Sequence, residues 1–314
     1  MRFSIWPAAS RGWDEILELA RHGEATGWDG VYFADHFMPH GGFGPTDDPT
    51  TSYDGNVLEC WAVIAALAAS VPRVRLGTLV SSVTFRHPAV IANAAAAVDS
   101  ISQGRLVLGI GAGWQLNEHL AYGLALGSVR ERLDRFEEAC QVVSSLLRKK
   151  RTTFAGEYYH ITDAPNQPPP VQQRLPILIG GSGEKRTMRI AARYADEWNC
   201  WSTPQVLAAK TAVLRAHCEA IGRSIDELRI STQAQFVVSN DQAVLSTARE
   251  SALGPTMVGT PEEIVDAVGR WRQAGAGEII VPDPGGPLSA ATDAYDLFAT
   301  EIAAHFAPPQ RAIS

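Results

Sequence analysis

The 314-residue sequence lacks most features that would assign it to a specialised class. Cysteine is scarce. Cys60, Cys140, Cys200 and Cys218 stand singly with no CxxC pair, which excludes a zinc ribbon and a disulfide scaffold. They read as reduced, buried thiols of a cytoplasmic protein. No apolar run approaches the length of a transmembrane helix, so no membrane partner is expected. The opening Met1-Arg2-Phe3-Ser4-Ile5-Trp6-Pro7 also lacks the apolar stretch and cleavage site of a signal peptide. Charged residues make up only 19%, and the 27 Lys+Arg against 34 Asp+Glu leave a net charge of −7 without a basic cluster. That excludes the electrostatic footprint of a nucleic-acid binder. GxSxG, HExxH and GxxxxGK[ST] are all missing, and the glycine run Gly109–Gly113 has Leu116 where a dinucleotide fingerprint needs its third glycine. His36 and His40 stand four apart with no third ligand nearby, so no metal is expected.

What is present is a soluble-type composition, 46% apolar, and a regular alternation. Short β-branched or apolar runs at 2–6, 30–35, 74–82, 105–113, 176–181, 196–202, 228–238 and 277–283 are separated by amphipathic helical patterns. The helices fall near 13–27, 62–68, 89–101, 130–147, 184–194, 204–221, 261–274 and 290–306. Eight such β/α pairs is the count of a TIM barrel, an α/β fold, although a doubly wound sheet fits the count as well. A single domain over 1–314 is expected, with an excursion at about 151–175 across the mouth or the flank. A second irregular stretch, 39–57, follows the second strand, and long loops in compact domains usually carry function.

In a barrel, chemistry sits where strands end. That rule selects Trp6, Asp35, His36, Ser81, Ser82, Gly111, Ala112, Gly113, Trp114, the run Gly180, Gly181, Ser182 and Gly183, Trp198, Trp201, Gln233, Gln235 and Asp283. His36 can exchange a proton near neutral pH or serve only as a structural histidine. Gly111 and Gly113 either relieve a crowded strand end or give a flat backbone for a planar ring. Gly180 to Gly183 join a strand to a helix, where a turn needing positive φ and an anion site on backbone N–H groups are both open readings. Lys185 and Arg186 add positive charge there. Tryptophans at strand ends suit a flat, conjugated small molecule.

These segments carry a resemblance. "GVYFADHF", "LECWAVIAALAASVPRVRLGTLVSSVTFRHPAVIANAAAAVDSISQGRLVLGIGAGW" and "LPILIGGSGEKRTMRIAARYADEWN" resemble the luciferase-like monooxygenase superfamily, most closely its coenzyme F420-dependent oxidoreductase branch. The resemblance implies a (β/α)8 TIM barrel with insertions at the C-terminal mouth, commonly a homodimer, holding a deazaflavin, with FMN as the alternative cofactor. It implies that His36 and Asp35 lie at the ring as catalytic residues, Asp35 fixing the tautomer of His36. Leu79, Val80, Ser81 and Ser82 match a bulge, with a cis Leu79–Val80 peptide, against the back of the ring. Gly111, Ala112 and Gly113 line the ring; Gly180, Gly181, Ser182 and Gly183 bind its phosphate, with Arg186 beside them. Arg86, His87, Lys185 and Arg186 are the nearest cations for the tail.

One departure shapes the expected activity. Trp114 stands where the sugar-phosphate dehydrogenases of this superfamily have a carboxylate, and "DEWNCWSTPQ" lacks their lysine. The expectation is therefore hydride transfer between the deazaflavin C5 and an electron-poor hydrophobic molecule such as an enone, imine or nitroaromatic, with Trp6, Trp114, Trp201 and the 39–57 loop as walls. An FMN-dependent monooxygenase needing a separate reductase is the alternative, and a cofactor carrier without turnover the third reading.

Overall fold

The computed structural model describes residues 1–39, 55–251 and 255–306. His40 and most of the 39–57 loop therefore lie outside the described residues. In chain order the elements are β1 (Arg2–Trp6), α1 (Trp13–Ala25), β2 (Gly30–Phe33), α2 (Cys60–Ser70), β3 (Arg75–Thr78), β4 (Ser81–Ser82), α3 (Pro88–Ile101), β5 (Leu106–Gly111), α4 (Leu116–Ala121), α5 (Val129–Arg148), β6 (Arg151–Ala155) and β7 (His160–Pro165). They continue with β8 (Ile177–Gly180), α6 (Thr187–Tyr194), β9 (Glu197–Trp201), α7 (Pro204–Glu219), β10 (Arg229–Gln233), β11 (Gln235–Val238), α8 (Gln242–Ser251), β12 (Thr256–Gly259), α9 (Pro261–Gln273), β13 (Glu278–Pro282) and α10 (Leu288–Glu301).

β1 pairs in parallel with both β2 and β13, and β3 pairs with β5, so the sheet closes on itself. Closure decides between the two folds open from the strand count: this is a (β/α)8 barrel. The strand runs are apolar on both faces because both are buried. Ile5, Val31, Leu108, Ile179 and Ile279 face the helices; Tyr32, Leu79, Val107, Leu178 and Ile280 fill the lumen, with Trp6 and Val80 above them. Helix starts follow local chemistry. Thr203 and Thr260 cap α7 and α9 through their side chains, and a proline occupies the first turn of each.

Three expectations are corrected. The run 74–82 is not one strand: it breaks at Leu79–Val80, whose peptide is cis, and β4 resumes pairing with β5 through Ser81 opposite Ile110. The run 228–238 is two strands. β10 stays in the barrel, whereas β11 leaves it at Ala234 to pair with β12; hydrophobicity continues because Phe236 still packs on Phe298, centroids 4.3 Å apart. The helix expected from 184 begins at Thr187. The 151–175 excursion is an antiparallel hairpin, β6–β7, on the flank and not across the mouth. Glu138 of α5 fixes its tip by accepting from the N–H groups of Glu157, Tyr158 and Tyr159 at 2.7–3.1 Å.

All four cysteines are free and buried, and burial pushes the Cys60 and Cys140 thiols well up. Among the described residues no helix is long and apolar enough to cross a membrane.

Candidate active site

The end of β2 delivers Asp35 and His36, and their side chains go separate ways. His36 is partly exposed, and its Nδ1 lies 2.8 Å from Oε1 of Glu118, a residue of α4 that is 1% exposed. The other Glu118 oxygen accepts from the N–H groups of Phe37 (2.7 Å) and Met38 (3.4 Å). A carboxylate can only accept, so this contact places a proton on Nδ1 and makes Nε2 the nitrogen that takes or gives one. The edge of His36 also meets the Trp114 ring, centroids 5.5 Å apart.

Asp35 does not hold the histidine. Its Oδ2 accepts from Ser81 Oγ (2.8 Å), Ser82 N–H (3.3 Å) and Arg86 Nη1 (2.6 Å). Arg86 is shared with Glu59, and Ser81 in turn takes the indole N–H of Trp61 at 3.0 Å. The carboxylate in contact with the His36 ring is therefore that of Glu118 and not of Asp35, which is turned toward the strand-three break. Burial raises the Asp35 carboxyl against the opposing pull of the Arg86 guanidinium. Its Oδ1 is buried without a hydrogen-bond partner among the described residues.

The glycines of β5 and β8 are explained by the backbone of Thr78 and the side chain of Val80. A Cβ at Gly109 would overlap the Thr78 carbonyl; at Gly111 it would come 2.7 Å from Val80 Cγ2, and at Gly180 3.0 Å from Val80 Cγ1. The glycines make room for the cis bulge, so relief of crowding is the reading that holds at Gly111 and Gly180. Gly113 has φ +82°, and a Cβ there would sit 2.7 Å from both Ser82 Oγ and Thr84 Oγ1. Those hydroxyls bond each other at 2.6 Å, and Thr84 bonds His119 Nε2 at 2.7 Å. Burial lowers His119.

Beyond β8 the glycine turn leaves part of its backbone engaged. The Gly181 N–H is spent on the Asn199 carbonyl (3.0 Å), and its φ of +119° is the turn that requires glycine. Ser182 and Gly183 are exposed, and no backbone bond engages their N–H groups among the described residues. Arg186 does not stand beside them: it bonds Asp134 of α5 at 2.5 Å and the Arg130 carbonyl. Arg86 is likewise committed, to Asp35 and Glu59, and the His87 ring faces Tyr159 of the flank hairpin. Lys185 is exposed next to the turn, with no ion pair among the described residues.

Trp6 and Trp201 meet edge to face across the mouth at 6.0 Å. Trp198, by contrast, is fully buried and donates to the Gly181 carbonyl, so it is scaffold. Residues that sequence reasoning missed cluster on one short segment: Gln115 donates to the Met38 carbonyl (2.9 Å), Asn117 to that of Pro39 (3.2 Å), and Glu118 grips His36. The signal was available, since Asn117-Glu118-His119 sets three polar residues in the segment that follows the fourth strand run, 105–113.

The profile of the family described as luciferase-like monooxygenase matches residues 1–254. An F420-dependent glucose-6-phosphate dehydrogenase of Nakamurella multipartita is 36% identical over 82% of this chain and 71% of its own length. An F420-dependent hydroxymycolic acid dehydrogenase of Mycobacterium tuberculosis is 29% identical over 75% of this chain and 62% of its own. The chain spans between about half and seven-tenths of the length of the curated relatives it matches. A solved F420-dependent secondary alcohol dehydrogenase, in complex with an F420-acetone adduct, superposes with a TM-score of 0.82 at 20% identity, covering 96% of this chain and 98% of that one; it shares the fold.

Proposed function

The chain belongs to the luciferase-like monooxygenase family, and from that premise we propose that it is a coenzyme F420-dependent oxidoreductase acting on neutral, hydrophobic or conjugated small molecules. The observation that carries the reading is the Glu118–His36 pair, its ring against Trp114 at a mouth walled by Trp6 and Trp201. Trp6, Trp114 and Trp201 carry no charge, which suits a neutral substrate better than a phosphorylated sugar.

The residues present fit a deazaflavin. Val80, seated over Gly111 and Gly180, forms a shelf at the strand-three break for a planar ring. The Ser182 and Gly183 N–H groups suit a phosphate oxygen, as the first turn after a strand does in many folds. When bound, the deazaflavin supplies a C5 centre that gives or accepts a hydride. The protein supplies the proton and the setting. Glu118 keeps the proton of Nδ1, so Nε2 of His36 delivers the proton that balances a hydride delivered to substrate, and takes it back in the reverse direction. Trp6, Trp114 and Trp201 orient the substrate and keep water from the transfer.

The test is a paired fluorescence titration with F420 and FMN, followed by assay of loaded enzyme on neutral ketones, enones and alcohols against glucose 6-phosphate. F420 binding with turnover of the neutral set is expected. Binding of FMN alone, or turnover confined to the sugar phosphate, would overturn the proposal.

A further inference from the structure

Gln233 is the last residue of β10, opposite Trp201 of β9 and Ile280 of β13 in register. Parallel neighbours in register point to the same face, and Ile280 belongs to the lumen cluster. The Gln233 amide therefore enters the top of the lumen, beside the Trp6–Trp201 wall. It is 7% exposed, and its Oε1 is buried with no partner among the described residues. Buried amides are nearly always satisfied, and a lone one destabilises the fold that keeps it.

Two polar groups of this end are already used: Asn199 gives its amide to Ser231 Oγ at 2.9 Å, and Arg11 is held by Asp283 at 2.5 Å. Among the described residues no hydrogen bond reaches the Gln233 Oε1, and the strand ends around it, Trp6, Trp201 and Pro282, carry no charge to receive an anion. A neutral group that both gives and accepts a hydrogen bond matches a primary amide best.

We infer that Gln233 is a specificity-determining residue that reads a neutral hydroxyl on the substrate, remote from the carbon that exchanges hydride at the His36 side. This rests on the oxidoreductase reading for the word substrate, but the binding preference does not need turnover. Sites built to bond a hydroxyl discriminate far more strongly than sites that merely enclose apolar surface.

The experiment compares the wild type with Gln233→Met, close in volume and without the amide. Thermal melting is recorded first: the variant is expected to gain about 2 °C or more, because an unmade hydrogen bond has been removed. Cyclohexanone and 4-hydroxycyclohexanone are then titrated by tryptophan fluorescence, with and without F420. The wild type should favour the hydroxylated ketone by roughly tenfold relative to the variant. A lower melting temperature for the variant, an unchanged preference, or no binding of either probe at its solubility limit would each overturn the proposal. Failure of the wild type to bind F420 would sink the oxidoreductase reading while the preference stayed measurable in cofactor-free protein.

Discussion

The two ends of the barrel both bury charge, and they do it differently. At the bottom, where strands begin, Arg75 lies between Glu197 (2.5 Å) and Glu278 (3.1 Å), and Ser4 donates to Glu278 at 2.6 Å. All four come from barrel strands, so the strand register itself brings them together. Burial raises the Glu197 carboxyl and Arg75 pulls it back. Glu197 Oε2 and Arg229 Nη1, the bottom groups left without a bond among the described residues, both belong to residues lining an open cleft of about 380 Å³. At the top, His36 takes its partner from outside the strands, Glu118 on α4, and Asp35 adds Arg86, ahead of α3, to the hydroxyl of Ser81 and the N–H of Ser82 on β4. The bottom is a plug completed by the sheet. The top is a site that loops must complete, and it retains buried acceptors at Asp35, Gln115 and Gln233.

The sharpest way to break this contrast is at the bottom. Arg75→Leu leaves two buried carboxylates facing each other, and removal of one partner from a buried ion network costs about 3–5 kcal/mol. A fall in Tm on the order of 10 °C is expected, with kcat of the folded fraction unchanged. A specific loss of turnover at unchanged Tm would mean that the plug is part of the site.

His36→Ala tests the top. Turnover should fall by roughly 10²-fold, as for loss of a general acid, with F420 affinity and Tm close to wild type. Weakened cofactor binding at unchanged turnover would make His36 a ring contact. Glu118→Gln should cost less, about tenfold in kcat, because Gln can still meet the ring but no longer compels a proton on Nδ1. The ¹⁵N shifts of His36 distinguish the roles: a changed tautomer ratio marks positioning, whereas an unchanged ratio with lost activity would refute it.

The same contrast explains what could be read from the residues alone. A barrel or a doubly wound sheet was legible because the strands are apolar and recur between helical patterns; the resemblance of the quoted segments implied the barrel and the cis Leu79–Val80 bond, and the structure has both. Strand continuity was not legible, since strand-forming residues stand on both sides of the exit at Ala234, Ile230 and Thr232 before it and Phe236-Val237-Val238 after it. Side-chain partnership was the weaker part. Asp35 and His36 are adjacent in sequence and diverge in space, and the glutamate that holds His36 lies 82 positions away. Arg186 follows the glycine turn, yet its reach carries it to Asp134 on the flank. A long side chain goes to the nearest buried or half-buried opposite charge, which sequence neighbourhood does not reveal.

That last point reshapes the smallest expected effect. With Arg86 and Arg186 tied to carboxylates, steering of an anionic tail at the rim falls to Lys185, exposed beside the turn on a chain of net charge −7. One exposed lysine acts through screened water, where a single pair contributes about 0.2–1 kcal/mol. Lys185→Glu reverses that charge and should weaken polyglutamylated F420 by about two- to fivefold at low salt, with FMN, which has no such tail, little changed. At ionic strengths near 1 M the Debye length shrinks to about 3 Å, and the two affinities should converge on their wild-type values. Arg186→Glu should act in another way. It would set a third carboxylate beside Asp134 and Glu137 and lower Tm without separating the two cofactors. An equal loss of F420 and FMN binding in Lys185→Glu, insensitive to salt, would show that the lysine shapes the phosphate turn and does not steer the tail.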